Sequence, residues 1–259
     1  MMLKFLNYAK ELLEAEETTN EIKPFTDRDT KLTVEDAYYI QLETVKLKEE
    51  QGKGVIGKKV GLTSKAMQQM LNVDEPDYGH LFDDMRVNSG GTVNTESMIA
   101  PRVEAEIGFM LKEDLAGPNI TFLDVIMATD YVVPTLEIID SRIADWKIKL
   151  IDTVADNGSS AKVVVGDSQK DLAEIDLRTN GMILSKNKEI VATGSGSAAL
   201  GHPAEAIAWL ANKLSEFDIV LKKGELILPG ALSAAINVAK GDEIEADFGE
   251  LGKVSVSFN

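Results

Sequence analysis

The chain has 259 residues, 44% of them apolar, which is enough for one large domain with a sizeable core. Its 43 acidic and 27 basic residues leave a net charge of −16, which argues against nucleic acid and anionic membranes as partners. The absence of cysteine excludes disulfides, thiolate catalysis and zinc–thiolate sites. The charged N-terminus does not resemble a secretory signal, and no run approaches the roughly 18 apolar residues of a membrane span, so we expect a cytoplasmic protein.

The first fifty residues are predicted to be helical. Thr33 and Asp36 form a capping-box pattern, and apolar side chains follow at helical spacing until Gly52. We therefore expect a helical N-terminal segment at 1–54 and a catalytic body at 55–259.

The body is predicted to combine short strands and glycine turns with a few helices, which makes the fold class α+β. In chain order we predict a strictly alternating strand at 103–110, a short helix at 121–127, a strand at 131–140 with Pro134 at an edge or bulge, a hairpin turning at Asn187, a helix beginning at Pro203, and two strands within 242–258.

Two glutamates interrupt the apolar run "PRVEAEIGF". On a strand, Glu104 and Glu106 share a face with their Cα atoms roughly 6.6 Å apart, whereas on a helix they would diverge. Such a pair is either the polar outer face of a half-exposed strand or a pair of metal ligands. Without a cation, two carboxylates this close would raise each other's pKa.

A third carboxylate, Glu137, is the only acidic residue between Tyr131 and Ile139. Taken alone, it is either an outward strand position or a further ligand. Three acidic oxygen ligands, in a chain with no cysteine and only two histidines, suit Mg²⁺ or Mn²⁺ rather than zinc. Such an ion keeps several waters, which leaves positions for a bidentate substrate.

Candidate proton carriers lie upstream of the glutamates. Lys58 and Lys59 of "GKKVGLT" face opposite ways on a strand, so one of them is expected in solvent; Lys59 is the candidate acid/base, with a pKa lowered near a metal. Asp77 follows a proline in a predicted loop, where it is either a turn residue or a functional one. His80 is not favoured as catalytic, and His202 is predicted to start a helix.

Six segments, in this order, resemble the 2-keto-4-pentenoate hydratases of the fumarylacetoacetate hydrolase superfamily: "GKKVGLTSKAMQ", "EPDYGHLFDDM", "PRVEAEIGFML", "ATDYVVPTLEIIDSR", "DTVADN" and "LGHPAEAIAWLANKL". The resemblance runs from about Thr33 to the C-terminus. It implies mixed β-sheets rolled around a central metal site, a helical N-terminal segment and homo-oligomeric assembly.

The same resemblance assigns site residues. It implies that Mg²⁺ or Mn²⁺ is held by Glu104, Glu106 and Glu137, and that the acid/base lysine is Lys59 rather than Lys58. It places the hydratase aspartate at Asp77. The residues that it aligns with the substrate pocket are Gly61, Leu62, Thr63 and Ser160.

The implied reaction is addition of water to 2-hydroxypenta-2,4-dienoate, giving 4-hydroxy-2-oxopentanoate in aromatic-compound catabolism. The rivals are a 4-oxalocrotonate decarboxylase, a 2-oxohept-3-enedioate hydratase, and a non-catalytic partner subunit of a decarboxylase–hydratase complex. Asp77 favours a hydratase, because the decarboxylases carry an apolar residue there. The short segment between Arg142 and Asp152 favours a monocarboxylate substrate.

Overall fold

The computed structural model describes residues 2–259, apart from the side chains of residues 2, 66, 70 and 71. The described α-helices are α1 (Met2–Thr18), α2 (Phe25–Arg28), α3 (Val34–Glu50), α4 (Lys65–Leu71), α5 (Phe122–Ala128), α6 (Leu150–Ala155) and α7 (Pro203–Leu214). The strands are β1 (Val55–Gly61), β2 (Asp77–Phe82), β3 (Arg86–Asn88), β4 (Gly91–Val93), β5 (Arg102–Leu111), β6 (Thr129–Ile139), β7 (Ser160–Val165), β8 (Gly181–Lys186), β9 (Glu189–Ser195), β10 (Leu226–Leu228), β11 (Ile236–Asn237), β12 (Glu243–Asp247) and β13 (Lys253–Phe258).

The strands form two mixed sheets. The larger has the order β2-β1-β10-β5-β6-β7-β3, with β11 paired to the start of β5. In it β1 runs parallel to β10 and β3 runs parallel to β7, while the remaining pairs are antiparallel. The smaller has the order β4-β13-β12-β8-β9. Together with the helices, these sheets confirm the predicted α+β class.

The N-terminal helices share the core of the body. The Thr33 hydroxyl accepts from the Asp36 amide, and the Asp36 carboxylate accepts from the Thr33 amide, so α3 begins with the predicted capping box. Phe25 and Tyr38 are buried in the same apolar cluster as the central strands. The segment therefore packs on the body, and the boundary at residue 54 stays a prediction.

Other local predictions are confirmed. Asn187 and Lys188 have φ of 54° and 70°, which makes the turn of the β8–β9 hairpin. Helix α7 begins with Pro203 in its first turn, and the His202 imidazole accepts from the Ala204 amide as the N-cap. No helix in residues 2–259 is both long and apolar enough to cross a membrane.

Strand β5 separates the core from the site. Val103, Ala105, Ile107 and Phe109 are all fully buried on one face, where they join the main apolar cluster. The intervening residues, Glu104 among them, face the other way because side chains alternate along a strand. The core thus anchors one side of β5 and holds the glutamates on the opposite side.

Pro134 does not lie where the sequence led us to expect it. We expected it at an edge or bulge, but β6 lies between β5 and β7, and the β5–β6 register is regular where Pro134 opposes Ile107. The position tolerates proline because β7 ends there: Thr135 pairs with Val165, the Gly166 amide bonds to the Pro134 carbonyl, and the next pair along β6 is Val132 with Lys170. The missing amide hydrogen therefore faces the end of the ladder.

The burial of Lys58 also differs from what we expected. We expected one of the two adjacent lysines in solvent, yet both are buried. The Lys58 ammonium lies 2.7 and 2.9 Å from the two carboxylate oxygens of Glu225. Because β1 is flanked by β2 and β10 in a sheet with buried residues on both faces, neither side of it reaches water.

This ion pair generates a stability prediction. Lys58→Met leaves the Glu225 carboxylate buried without its cation, so we expect the free energy of unfolding to fall by about 3–5 kcal/mol, measured by urea denaturation. The double variant Lys58→Met, Glu225→Leu should recover most of that loss, because two packed apolar groups replace two desolvated charges.

The matched control is Lys53→Met, whose partner Asp84 is 2.8 Å away in a pair about one-third exposed. It should cost at most about 1 kcal/mol. If the Lys58 variant is as stable as this control, the buried ion pair does not contribute to stability as proposed.

Candidate metal and active site

Three carboxylates converge where β5 and β6 pair. Glu104 lies directly opposite Glu137 in the antiparallel ladder, and Glu106 shares the Glu104 face. One carboxylate oxygen from each of the three lies within 4.8 Å of the others. Glu106 and Glu137 are fully buried, and Glu104 is half-buried. The exposed-face interpretation of these glutamates is therefore wrong, because β5 is a central strand.

The buried oxygens of this cluster lack partners. Glu106 Oε2 accepts from the Gly230 amide at 2.7 Å, but Glu106 Oε1 and both Glu137 oxygens have no hydrogen-bond partner among the described residues. Buried carboxylate oxygens are ordinarily satisfied, since an unpaired buried charge costs several kcal/mol. Three convergent carboxylates, two of which carry buried oxygens without partners, fit a hard divalent cation.

Without a bound ion, simultaneous ionisation of the three carboxylates is strongly disfavoured. Burial raises the pKa of Glu104 to about 7, and repulsion from Glu137 adds to the rise. Burial and repulsion from the other two carboxylates raise the pKa of Glu106 well above its usual range. The pKa of Glu137 is also raised, mainly by burial, although Lys59 opposes the shift. The pKa of Glu106 rises beside Glu104 as predicted, whereas the pKa of Glu104 rises beside Glu137.

Lys59 enters the same site. Its ammonium lies 3.5 Å from Glu137 Oε2, and its side chain is buried. Burial alone would lower the Lys59 pKa, but the nearby carboxylates, led by Glu137 and Asp77, outweigh burial and raise it. In the protein without an ion, four acids surround this lysine and raise its pKa; the lowered pKa expected beside a bound metal stays a prediction.

Asp77 lies beside Lys59, on a strand instead of the predicted loop. It is the first residue of β2 and pairs with Gly61 of β1, so strand pairing outweighs the turn preference of the preceding proline. Its Oδ2 accepts from the Thr153 hydroxyl at 3.2 Å, while the buried Oδ1 has no described partner. Burial raises the Asp77 pKa, against the attraction of Lys59.

Gly61 leaves space between these two groups. A methyl group there would collide with Asp77 Oδ1 and stand 3.2 Å from the Lys59 ammonium. Gly61, Leu62 and Thr63 line a cavity of about 380 Å³ that also contains Lys59 and Asp77. A cavity of this size suits a small organic acid.

The remaining predicted residue, Ser160, begins β7 and is buried, with no described partner for its hydroxyl. Its neighbours Gly158 and Ser159 line the cavity. Asn157, Gly158 and Ser159 have φ of 55°, 59° and 56°, and a methyl group on Gly158 would stand 3.2 Å from Lys59 Cε. The Asn-Gly pair was a sequence signal for this turn that the sequence analysis did not use.

The Asn157 side chain explains how this turn is held. Its amide oxygen accepts from the His80 amide at 2.7 Å, and its amide nitrogen donates to the His80 carbonyl at 2.9 Å, so it pairs with β2 like a short strand. The His80 ring contacts Gln41 at 3.0 Å, and burial lowers the His80 pKa to about 3. This histidine is a neutral core residue.

The chain belongs to the fumarylacetoacetate hydrolase family: the family model "Fumarylacetoacetate (FAA) hydrolase C-terminal" matches residues 56–258. The chain is 48% identical over 249 residues to 2-hydroxyhexa-2,4-dienoate hydratase of Comamonas testosteroni, covering 95% of this chain and 94% of that one. It is 44% identical over 250 residues to 2-keto-4-pentenoate hydratase of Paraburkholderia xenovorans strain LB400, covering 96% and 93%.

A solved structure shows the same fold. The 4-oxalocrotonate decarboxylase of Pseudomonas putida G7, complexed with magnesium and adipate, superposes with a TM-score of 0.98 at 40% identity, covering 100% of this chain and 98% of that one. The relatives place the chain in the hydratase and decarboxylase branch of its family. The sequence-based assignments of family, fold and enzyme class are thereby confirmed.

The carboxylate cluster predicts a pH-dependent stability. The Glu104 pKa is about 7 in the folded protein against 4.5 in the unfolded chain. Its stabilising contribution is therefore fully present below about pH 4.5 and is lost as the pH rises through about 7. In EDTA, we expect the melting temperature of Glu104→Gln to rise relative to wild type between pH 5 and pH 8.

Mg²⁺ or Mn²⁺ should restore the wild-type melting temperature at pH 8 and act weakly on Glu104→Gln. The exposed residue Glu96 supplies the control, and Glu96→Gln should show neither effect. A wild-type minus Glu104→Gln difference that does not change with pH would contradict the raised pKa.

Proposed function

We propose that this chain is a divalent-metal-dependent hydratase that adds water to 2-hydroxypenta-2,4-dienoate, giving 4-hydroxy-2-oxopentanoate. The observation that carries the proposal is a cavity lined by Lys59, Asp77 and Glu104, the last of which belongs to a cluster of three convergent carboxylates. Full-length relatives named as hydratases of short 2-hydroxydienoates and 2-oxo acids support the substrate class.

The proposed metal ligands are Glu104, Glu106 and Glu137, whose convergent carboxylates, with unpartnered oxygens on Glu106 and Glu137, fit Mg²⁺ or Mn²⁺. The magnesium complex of the similar decarboxylase supports this choice of ion. When bound, the ion would supply Lewis-acid stabilisation of the negative charge that develops on the substrate's enol oxygen. The ion would also relieve the repulsion that otherwise keeps part of the cluster protonated.

The proton transfers fall to the protein. In ketonisation the enol hydroxyl loses a proton and C5 gains one, which leaves a 3,4-double bond conjugated to the 2-oxo group. Water then adds at C4, loses a proton, and C3 gains one. Lys59 and Asp77 lie on adjacent strands beside the space that Gly61 leaves, so we assign these proton transfers to them.

Asp77 also favours hydration over decarboxylation. Water attack at C4 needs a group that orients the nucleophile and accepts its proton, and the unpartnered Asp77 Oδ1 is such an acceptor. A decarboxylation needs no such acceptor, and a buried carboxylate would repel a dianionic substrate. The close structural likeness to the 4-oxalocrotonate decarboxylase makes decarboxylation the second candidate.

We further propose homo-oligomeric assembly, following the family resemblance. Large apolar side chains stand exposed on α5 and β9: Leu123 (69%), Met127 (70%) and Ile190 (67%). Light scattering on the purified chain tests the assembly, and co-elution with a pathway enzyme tests a larger complex.

The first functional prediction concerns Asp77. Asp77→Asn keeps the side-chain volume but removes the proton acceptor, so hydration of 2-hydroxypenta-2,4-dienoate should fall by roughly 10²–10⁴-fold. Solvent-deuterium exchange at the enol carbon, followed by NMR, should survive better because it does not require water attack. If the wild-type protein releases CO₂ from 4-oxalocrotonate and leaves the pentadienoate unhydrated, the decarboxylase candidate replaces the hydratase.

The second concerns Lys59. We expect Lys59→Met to reduce turnover by roughly 10²–10⁴-fold, the usual share of one acid/base group. Calorimetric titration should show Mn²⁺ affinity retained or increased, because the variant loses a cation beside Glu137. The exposed residue Lys240 gives the charge-matched control, Lys240→Met, which should turn over normally. Normal turnover in the Lys59 variant would remove this residue from the mechanism.

A further inference from the structure

We propose that Arg102 binds the C1 carboxylate of the substrate and so determines which end of the substrate faces Asp77. This inference rests on the proposed function, because it takes a short 2-oxo acid or its enol as the ligand. It assigns a specificity role to a residue outside the carboxylate cluster and the two proton carriers.

The first observation is an arginine without a partner inside the site. Arg102 is half-buried, lines the same cavity as Glu104, Lys59 and Asp77, and its buried Nε has no described hydrogen-bond partner. The other enclosed guanidinium, that of Arg142, is saturated by Asp156 and by backbone carbonyls. A half-buried guanidinium left free in a chain of net charge −16 is available for an anionic ligand.

The second observation is that the guanidinium has a defined orientation. Its central carbon lies 4.2 Å from the centroid of the Trp146 ring. The ring is held in turn, since Trp146 Nε1 donates to the Ala100 carbonyl at 3.0 Å and the backbone at Asp145 and Trp146 is left-handed, with φ of 57° and 55°. Stacking occupies a face of the guanidinium and leaves its N–H edge free for a carboxylate.

The third observation is the order of charges along the cavity. Arg102 lies two residues before Glu104 on the same face of β5, whereas Lys59 and Asp77 lie on β1 and β2, beyond β10 in the sheet. Lys59 pairs with Leu228 of β10, and β10 pairs with β5 around Phe109, so Lys59 lies level with the far end of β5 from Arg102. Along the strand direction, Glu104 and Glu106 therefore lie between Arg102 and the end where Lys59 and Asp77 stand.

This order defines the direction of the substrate. A 2-oxo acid that approaches the cluster through one carboxylate oxygen can present its other oxygen to Arg102 and extend its carbon tail toward Asp77. The reverse orientation places the carboxylate against the Asp77 carboxylate, where the one described cation, Lys59, already shares its charge with Glu137 and Asp77, so like-charge repulsion opposes it. Arg102 therefore selects the orientation in which C4 lies at the proton-transfer end.

The test measures binding as well as turnover, using the Mn²⁺-loaded full-length chain. The probes are pyruvate, which has only the C1 carboxylate, and 2-oxoadipate, which adds a distal one. Arg102→Met should weaken both probes by a similar factor of roughly 10–100, the range for a hydrogen bond to a charged group, with Mn²⁺ affinity unchanged. Arg102→Lys should recover part of the loss, because it keeps the charge but not the bidentate edge.

Turnover and fluorescence give independent readouts. Arg102→Met should raise KM for the pentadienoate by more than it lowers kcat, and pyruvate should lose its effect on Trp146 fluorescence in a Trp209→Phe background. The exposed residue Arg178 supplies the control, and Arg178→Met should match wild type in every measurement.

The outcomes separate the two proposals. If only 2-oxoadipate loses affinity, Arg102 binds a distal carboxylate and the assignment to C1 is overturned. Unchanged affinity for both probes, or a wild type that binds neither, overturns it as well. If the wild type hydrates no dienoate, but Arg102→Met lowers the affinity for pyruvate, the proposed function is overturned and the role of Arg102 in binding the C1 carboxylate is supported.

Discussion

The structure depends on the repulsion among three carboxylates that it buries together. Glu104, Glu106 and Glu137 are brought within reach of one another by the pairing of β5 with β6, and that pairing is imposed by the apolar residues on the opposite face of β5. The core thus stabilises an arrangement that its own electrostatics oppose. The single lysine ammonium at 3.5 Å only partly offsets three acids, so the site in the protein alone holds protons that a divalent ion would displace.

Because side chains alternate along a strand, the two adjacent lysines of β1 face opposite sides of the sheet and have different surroundings. Lys59 faces the carboxylate cluster, and Lys58 faces Glu225 on the other side of the sheet. Lys58 has one carboxylate partner with short contacts to both oxygens, which is the arrangement of a structural ion pair. Lys59 shares its charge among several acids at longer range and borders a cavity. Burial alone does not distinguish the two lysines, but the partners do.

How much could be predicted from the sequence depended on the range of the interactions involved. The strict alternation at 103–110 and the lone acid at Glu137 were enough to select the three glutamates that the structure brings together, because strand periodicity is a local property. The buried position of Lys58 could not be predicted, since it requires β10, about 170 residues later, to pair with β1. Asp77 was predicted on a loop for the same reason: its local Pro-Asp signal was overridden by long-range pairing with Gly61. Arg102 and Trp146 were missed because their contact joins segments more than forty residues apart.

Glycines complete the site by leaving space where charged groups must meet. At Gly61 any side chain would fill the gap between Asp77 and Lys59, and at Gly158 the backbone closes over the Lys59 side chain. Both proposed proton carriers are therefore confined, yet Asp77 and Lys59 still line the cavity. Arg102 and Asp77 both line this cavity, but they come from strands separated by β1 and β10. In the proposed orientation, the carboxylate of the substrate lies at Arg102 and its carbon tail extends toward Asp77, so the charges of the cavity distinguish the two ends of the substrate.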